Sequence, residues 1–165
     1  MRALPHPLRR VDSHHAVHGE LWLKRSAQQV ADREAGRLAG FGPDRLKVGV
    51  HALGYLAPTA KEAANDFFPG YARAFGSIGK ERGWSTPTRA QFDAQLTPDG
   101  ALLIGTPEEI IAKVIRHSEA LGGISRITFM MNAATLPHEN LMRAIELLGS
   151  KVAPALRKEL GSVAA

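Results

Sequence analysis

From residue 46 onward the apolar positions switch between two periods, and each switch marks an element. Across Leu46–Ala57 (LKVGVHALGYLA) they alternate: Val48, Val50, Ala52 and Gly54 fall on one side, and Lys47, Gly49, His51, Leu53 and Tyr55 on the other. Both sides are largely apolar beyond Lys47, which predicts a strand buried on both faces. The period lengthens across Thr59–Gly83. A capping box of Thr59 and Glu62 opens a helix carrying Ala63, Ala64, Phe67 and Phe68, and Pro69-Gly70 is expected to kink or interrupt it before Tyr71, Phe75 and Ile78 resume the stripe. Trp84–Gly100 is irregular, punctuated by Pro87, Pro98 and Gly100, with a short helical turn over Arg89–Gln95. The apolar run Ala101–Ile104 ends at Gly105. Thr106 then caps a helix with Pro107 at its first position, Glu108 and Glu109 at the positive end of its dipole, and Ile110, Ile111, Val114, Ile115 and Leu121 on its buried stripe. Gly122-Gly123 stops it, because glycine accepts the left-handed geometry of a C-terminal cap. Arg126–Asn132 (RITFMMN) reads as a strand and Pro137–Leu148 as a helix. The helical pattern continues to Leu160 with Leu141, Ile145, Leu148, Val152 and Leu156 on one face, broken at Pro154. Upstream, Ser26–Leu38 reads as a helix ended by Gly40 and Gly42-Pro43-Asp44. Strand, helix, strand, helix in close succession predicts the α/β class with parallel βα units.

Composition narrows the classes. The 165 residues suffice for one ordinary domain with a core, but a whole (β/α)8 barrel takes about 250. With 44% hydrophobic and 22% charged residues the chain is globular in type. No run approaches the roughly 18 apolar residues of a membrane span, and the basic first residues are not followed by the apolar core of a signal peptide. The absence of cysteine excludes disulfide and thiolate chemistry and suits a cytoplasmic protein. A net charge of +5 raises the question of an anionic partner. Much of it comes from Arg2, Arg9, Arg10, Lys24, Arg25 and Arg33, with no aromatic residues interleaved in a dense basic patch, so nucleic-acid binding is not expected. His14, His15 and His18 lack the carboxylates or cysteines that would complete a metal site, so none is assigned.

Five segments, taken in order, carry a resemblance. They are LKVGVHALGYLA (Leu46–Ala57), FFPGYARAFGSIGKERGW (Phe67–Trp84), RAQFDAQ (Arg89–Gln95), IGTPEEIIAKVIRHSEALGGISRITFMM (Ile104–Met131) and LPHENLMRAIELLGSKVAPALR (Leu136–Arg157). Together they resemble the C-terminal half of the bacterial-luciferase-like flavin monooxygenases, by order and spacing rather than by any single motif. The resemblance begins near Arg33. Residues 33–165 are therefore expected to be the C-terminal βα units of a (β/α)8 TIM barrel. Residues 1–32 are expected to be a poorly ordered segment of other origin, arising from a late start or an upstream frame change.

The resemblance implies reduced FMN, supplied by a separate flavin reductase, and O2 oxygenating a small organic substrate. It also implies a homo-oligomer, commonly a dimer. Two alternatives stand beside it: the deazaflavin F420 as hydride carrier on the same fold, and a non-catalytic half-barrel that needs a partner. Whether this chain is itself an enzyme stays open, because the family's principal flavin-contacting positions lie largely in the other half.

Candidates for lining a cofactor or substrate pocket follow from barrel geometry, in which the C-terminal ends of strands face the active site. They are His51 and Tyr55 on the first strand, and Met131 and Asn132 at the end of RITFMMN, where methionine offers a soft apolar wall and asparagine a polar contact. Arg89, in the long irregular stretch, is a candidate for an anionic substrate or flavin phosphate. Each has a plainer reading: a satisfied core histidine, an arginine bridging to Asp93 four residues on, or methionines packed on flanking helices. No Ser/His/Asp set, paired strand-end carboxylates, P-loop or GxGxxG is present. That suits chemistry carried by a cofactor.

Overall fold

The structure, a computed structural model, describes residues 31–32, 34–42, 47–132 and 135–161. The reading of residues 1–30, with His14, His15 and His18, lies outside the described residues. Residues 31–32 and 34–38 are helical, as the upstream pattern predicts. The ordered elements that follow are β1 (Gly49–Leu56), α1 (Ala60–Arg82), α2 (Arg89–Ala94), β2 (Leu103–Gly105), α3 (Pro107–Ala120), β3 (Arg126–Met130) and α4 (His138–Leu147). A single π-helical turn, Leu148–Val152, then leads into α5 (Ala153–Gly161).

Local chemistry explains most of these limits. Thr106 accepts from the Glu109 amide at 3.3 Å while the Glu109 carboxylate accepts from the Thr106 amide at 2.9 Å, a complete capping box. At the other end of α3 the Gly122 amide donates to Glu119 and the Gly123 amide to Ser118, with φ of 67° and 108° at the two glycines. This is the double hydrogen bond of a Schellman cap. Thr88 and Gln91 close a second box on α2. The box expected at α1 is half formed: Thr59 accepts from the Glu62 amide, whereas the Glu62 carboxylate faces Arg143 of α4.

Two helices depart from expectation. α1 runs through Pro69 without interruption. Proline costs about 3 kcal/mol inside a helix, but Phe67 and Tyr71 on either side of it are both buried, and their burial carries the helix across it. The break expected at Pro154 comes earlier, as the π turn. Proline has no amide to donate to the carbonyl four residues back, and the ladder slips by one residue before it.

The three strands are parallel in the order β2-β1-β3. Gly54–Leu56 of β1 pair with Leu103–Gly105, and Gly49–Leu53 pair with Arg126–Met130. The α/β class and parallel βα units are as predicted, but the described residues form no closed barrel, and the strand order is not that of a barrel wall, where each strand lies beside the next in sequence. The strand lengths account for this. β1 has eight residues against three and five, so only β1 can give both shorter strands a full ladder. The core gathers where helices cover the carboxyl half of the sheet: Tyr55, Leu56, Phe67, Phe92, Leu103, Ile110 and Val114 are almost fully buried. The amino half of β1 is less covered than predicted, with Gly49 and His51 exposed, as are Arg126, Thr128 and Met130 beside them.

Candidate functional site

The carboxyl ends of the three parallel strands lie together, and there Tyr55, Gly105 and Met131 are buried and Asn132 is exposed. Tyr55 is held by a small polar network. Its hydroxyl donates to Asp66 Oδ2 of α1 at 3.0 Å, and the same oxygen accepts from Asn140 Nδ2 of α4 at 3.1 Å. One carboxylate thus ties β1 to two helices. Burial, then the hydrogen bond to Asp66 and the charges of Asp66 and Glu62, push the phenol well above its ordinary value, so Tyr55 is a neutral donor throughout the physiological range.

The other candidates separate. His51 lies on the same side of β1 as Tyr55, about 13 Å away at the rise of a strand, and faces solvent opposite Thr128. Met131 belongs to the core cluster. Arg89 is spoken for: Nε donates to Asp93 Oδ1 at 2.7 Å and an Nη to Asn65 Oδ1 at 2.9 Å. Its guanidinium also lies over the rings of Phe68 and Phe92, at 5.4 and 5.9 Å. Asn132 sits just past β3, which ends two residues sooner than predicted. The structure therefore brings Tyr55 and the Met131–Asn132 pair to one end of the sheet, leaves His51 toward the other, and ties Arg89 to Asn65, the neighbour of Asp66.

Two buried basic side chains escaped the sequence reading. Lys113 of α3 donates to the carbonyls of Leu102 at 2.8 Å and Gln95 at 3.2 Å, pinning the turn between α2 and β2. Burial lowers its pKa to about 8, against the raising charges of Asp99 and Glu109. His117, one turn on, is buried, and burial with the charge of Lys113 lowers it to about 4. Both sit at helical spacing from Ile110 and Val114, on the apolar stripe. That placement was the available signal. Asp66 and Asn140 carried none.

An FMN phosphate finds no ready cradle among the described residues. The helix starts at the strand ends carry their own carboxylates, Glu62 at α1 and Glu108 and Glu109 at α3, and Glu109 folds back onto the Thr106 amide. Arg89 spends Nε and one Nη on Asp93 and Asn65. The phosphate half of a flavin nucleotide therefore does not fit this set of groups. Among the described residues no group of three or more His, Cys, Asp or Glu is arranged to hold a metal ion, and no helix is long and apolar enough to cross a membrane.

The fold has solved counterparts. The chain is similar to the monooxygenase RslO1 from Streptomyces bottropensis, with a TM-score of 0.61 and 22% identity, over 82% of this chain and 38% of that one. It is also similar to the oxygenating constituent of 3,6-diketocamphane monooxygenase from Pseudomonas putida, a type II Baeyer-Villiger monooxygenase in complex with FMN. There the TM-score is 0.57 and the identity 22%, over 81% of this chain and 40% of that one. The likeness is one of fold. The chain spans about two fifths of the length of these proteins. No family model matches the sequence, and no curated protein matches it.

Proposed function

We propose that residues 33–165 are the C-terminal βα units of a luciferase-like flavin-dependent oxidoreductase, a monooxygenase in which reduced FMN from a separate reductase and O2 oxygenate a small organic substrate. The observation that carries this reading is the fold shared over four fifths of the chain with two monooxygenases, one of them in complex with FMN. In it, Tyr55, Met131 and Asn132 contribute to the wall of the pocket at the carboxyl end of the sheet. Tyr55 orients through Asp66, the methionine excludes water, and Asn132 offers its amide. The flavin supplies the oxygen chemistry. F420 as hydride carrier and a non-catalytic half that needs a partner remain the alternatives.

The test is a titration of the purified chain with FMN, riboflavin and F420, followed by flavin absorbance and fluorescence. The expected result is weak, saturable flavin binding with a perturbed spectrum, FMN and riboflavin binding within about threefold of one another. A dedicated phosphate cradle would separate them by tenfold or more, since each charge-assisted hydrogen bond contributes about 1.5–3 kcal/mol. Binding of F420 alone would transfer the assignment to the deazaflavin class. No binding of any of the three would sink the flavin reading for this chain and leave the non-catalytic half.

A further inference from the structure

The hydrogen bonds of the Tyr55 network are all spent in one direction. Asp66 Oδ2 takes the single hydroxyl hydrogen of Tyr55 and one amide hydrogen of Asn140. What remains is almost wholly acceptor: the Tyr55 oxygen, Asp66 Oδ1 and Asn140 Oδ1, against one unspent hydrogen on Asn140 Nδ2. Among the described residues no donor reaches Asp66 Oδ1 or Asn140 Oδ1. Tyr55 is only 2% exposed, whereas Asp66 and Asn140 are half-buried and within reach of a ligand. Charge points the same way. One turn before Asp66 on α1 stands Glu62, and near Asn140 on α4 stands Arg143, with their nearest charged atoms 3.9 Å apart. These two charges offset one another and leave the Asp66 carboxylate as the net charge of the set.

We propose that Asp66 sets the ligand class of this site. By taking the Tyr55 and Asn140 hydrogens it leaves a carboxylate-centred set of acceptors, which selects a substrate bearing an ammonium group over one bearing a carbonyl or an anion. The inference rests on the reading of these strand ends as a pocket wall, and extends it by naming what the wall accepts. An ammonium brings three hydrogens and a positive charge, so it donates to Asp66 Oδ1 with hydrogens to spare for the neighbouring acceptors. A hydroxyl donates one hydrogen without the charge. A ketone oxygen meets other oxygens and finds only the Asn140 hydrogen. A carboxylate or phosphate adds repulsion from Asp66, in keeping with the missing phosphate cradle. Asp66 therefore acts twice, by its own free oxygen and by fixing Tyr55 as an acceptor toward any ligand.

Cyclohexylamine, cyclohexanol, cyclohexanone and cyclohexanecarboxylate share one ring and differ only in the group under test. At about pH 7 the amine is a cation and the acid an anion. Each is titrated into the flavin-free chain, with binding read from the nuclear magnetic resonance shift of the Asn140 side-chain amide. The amine is expected to bind more tightly than the alcohol, by about tenfold or more over the ketone, and the carboxylate is expected to bind weakest. Asp66→Asn keeps an acceptor for Tyr55 but puts an amide donor in place of the free oxygen. It is expected to weaken the amine by about tenfold and to leave the ketone unchanged or tighter. A residue that only held the helices together would weaken all four probes alike, and that result overturns the proposal. So does a wild-type chain in which ketone or carboxylate equals the amine, or in which no probe at millimolar concentration shifts Asn140. Should Asp66→Asn lose its far-ultraviolet spectrum, the wild-type order still decides. Flavin binding without the ammonium preference refutes this inference alone, and the preference in a chain that binds no flavin refutes the flavin reading alone.

Discussion

At the residue scale, the side chains that set this fold's response to pH are ones the polar and apolar pattern disguised. His117 and Lys113 occupy stripe positions of α3, and burial, joined at His117 by the charge of Lys113, lowers their proton affinities. Between pH 4 and 6.5 the unfolded chain takes up a proton at residue 117 that the folded chain, with its pKa near 4, does not. Stability therefore rises with pH across that window and is lost as pH falls through it. The same sign holds for Lys113 from about 8 to 10.5, where again the unfolded state holds more protons. Urea midpoints measured from pH 4 to 6.5 are expected to climb, and His117→Leu is expected to flatten that climb. A wild-type profile that is level or falling over the interval would contradict the assignment. The Tyr55–Asp66–Asn140 network was equally illegible, because its members lie as many as 85 positions apart (140 less 55) and no short-range pattern links them.

At the scale of elements, what a few neighbouring residues decide was readable. The capping boxes at Thr88 and Thr106, the Pro107 start and the double-glycine stop each rest on hydrogen bonds spanning six residues or fewer. What packing decides was not. Pro69-Gly70 predicts a kink or an interruption, and buried aromatics on both sides carry the helix through. Gly54 shows packing acting in the other direction. A Cβ there would run into the Phe129 ring and approach the Leu103 carbonyl at 3.2 Å, so the glycine lets β3 seat its phenylalanine over β1. Gly54→Ala is expected to destabilise the fold by about 1–3 kcal/mol. Combining it with Phe129→Ala is expected to cost less than the two single changes summed, by at least about 0.5 kcal/mol. Denaturant unfolding of the three variants checks both statements, and strict additivity would show that the two positions do not meet.

At the scale of the whole molecule, the parallel α/β class was evident from the succession of elements, whereas the order of the strands was not. The resemblance to a barrel half led to the expectation of consecutive neighbours. The structure instead sets β1 between β2 and β3, and the two monooxygenases of similar fold are matched over only about two fifths of their length. Nuclear Overhauser contacts between the backbones of Val50 and Ile127, and of Tyr55 and Ile104, are expected in solution. Contacts joining β2 directly to β3 would restore the consecutive order of a barrel wall.

The sequence by itself determined where the helices opened by Thr88 and Thr106 begin and where the double glycine stops α3, because caps and stops are encoded within a turn or two of chain. It also determined that the class is α/β and that Phe67 and Tyr71 belong to a core. Tertiary structure alone decided that Tyr55 is buried against Asp66 while His51 faces water, that Arg89 is tied to Asp93 and Asn65, and that β1 is central. Those outcomes depend on which edges and faces find cover. That is settled by competition among distant segments for the longest ladder and the largest apolar burial, a competition no local pattern records.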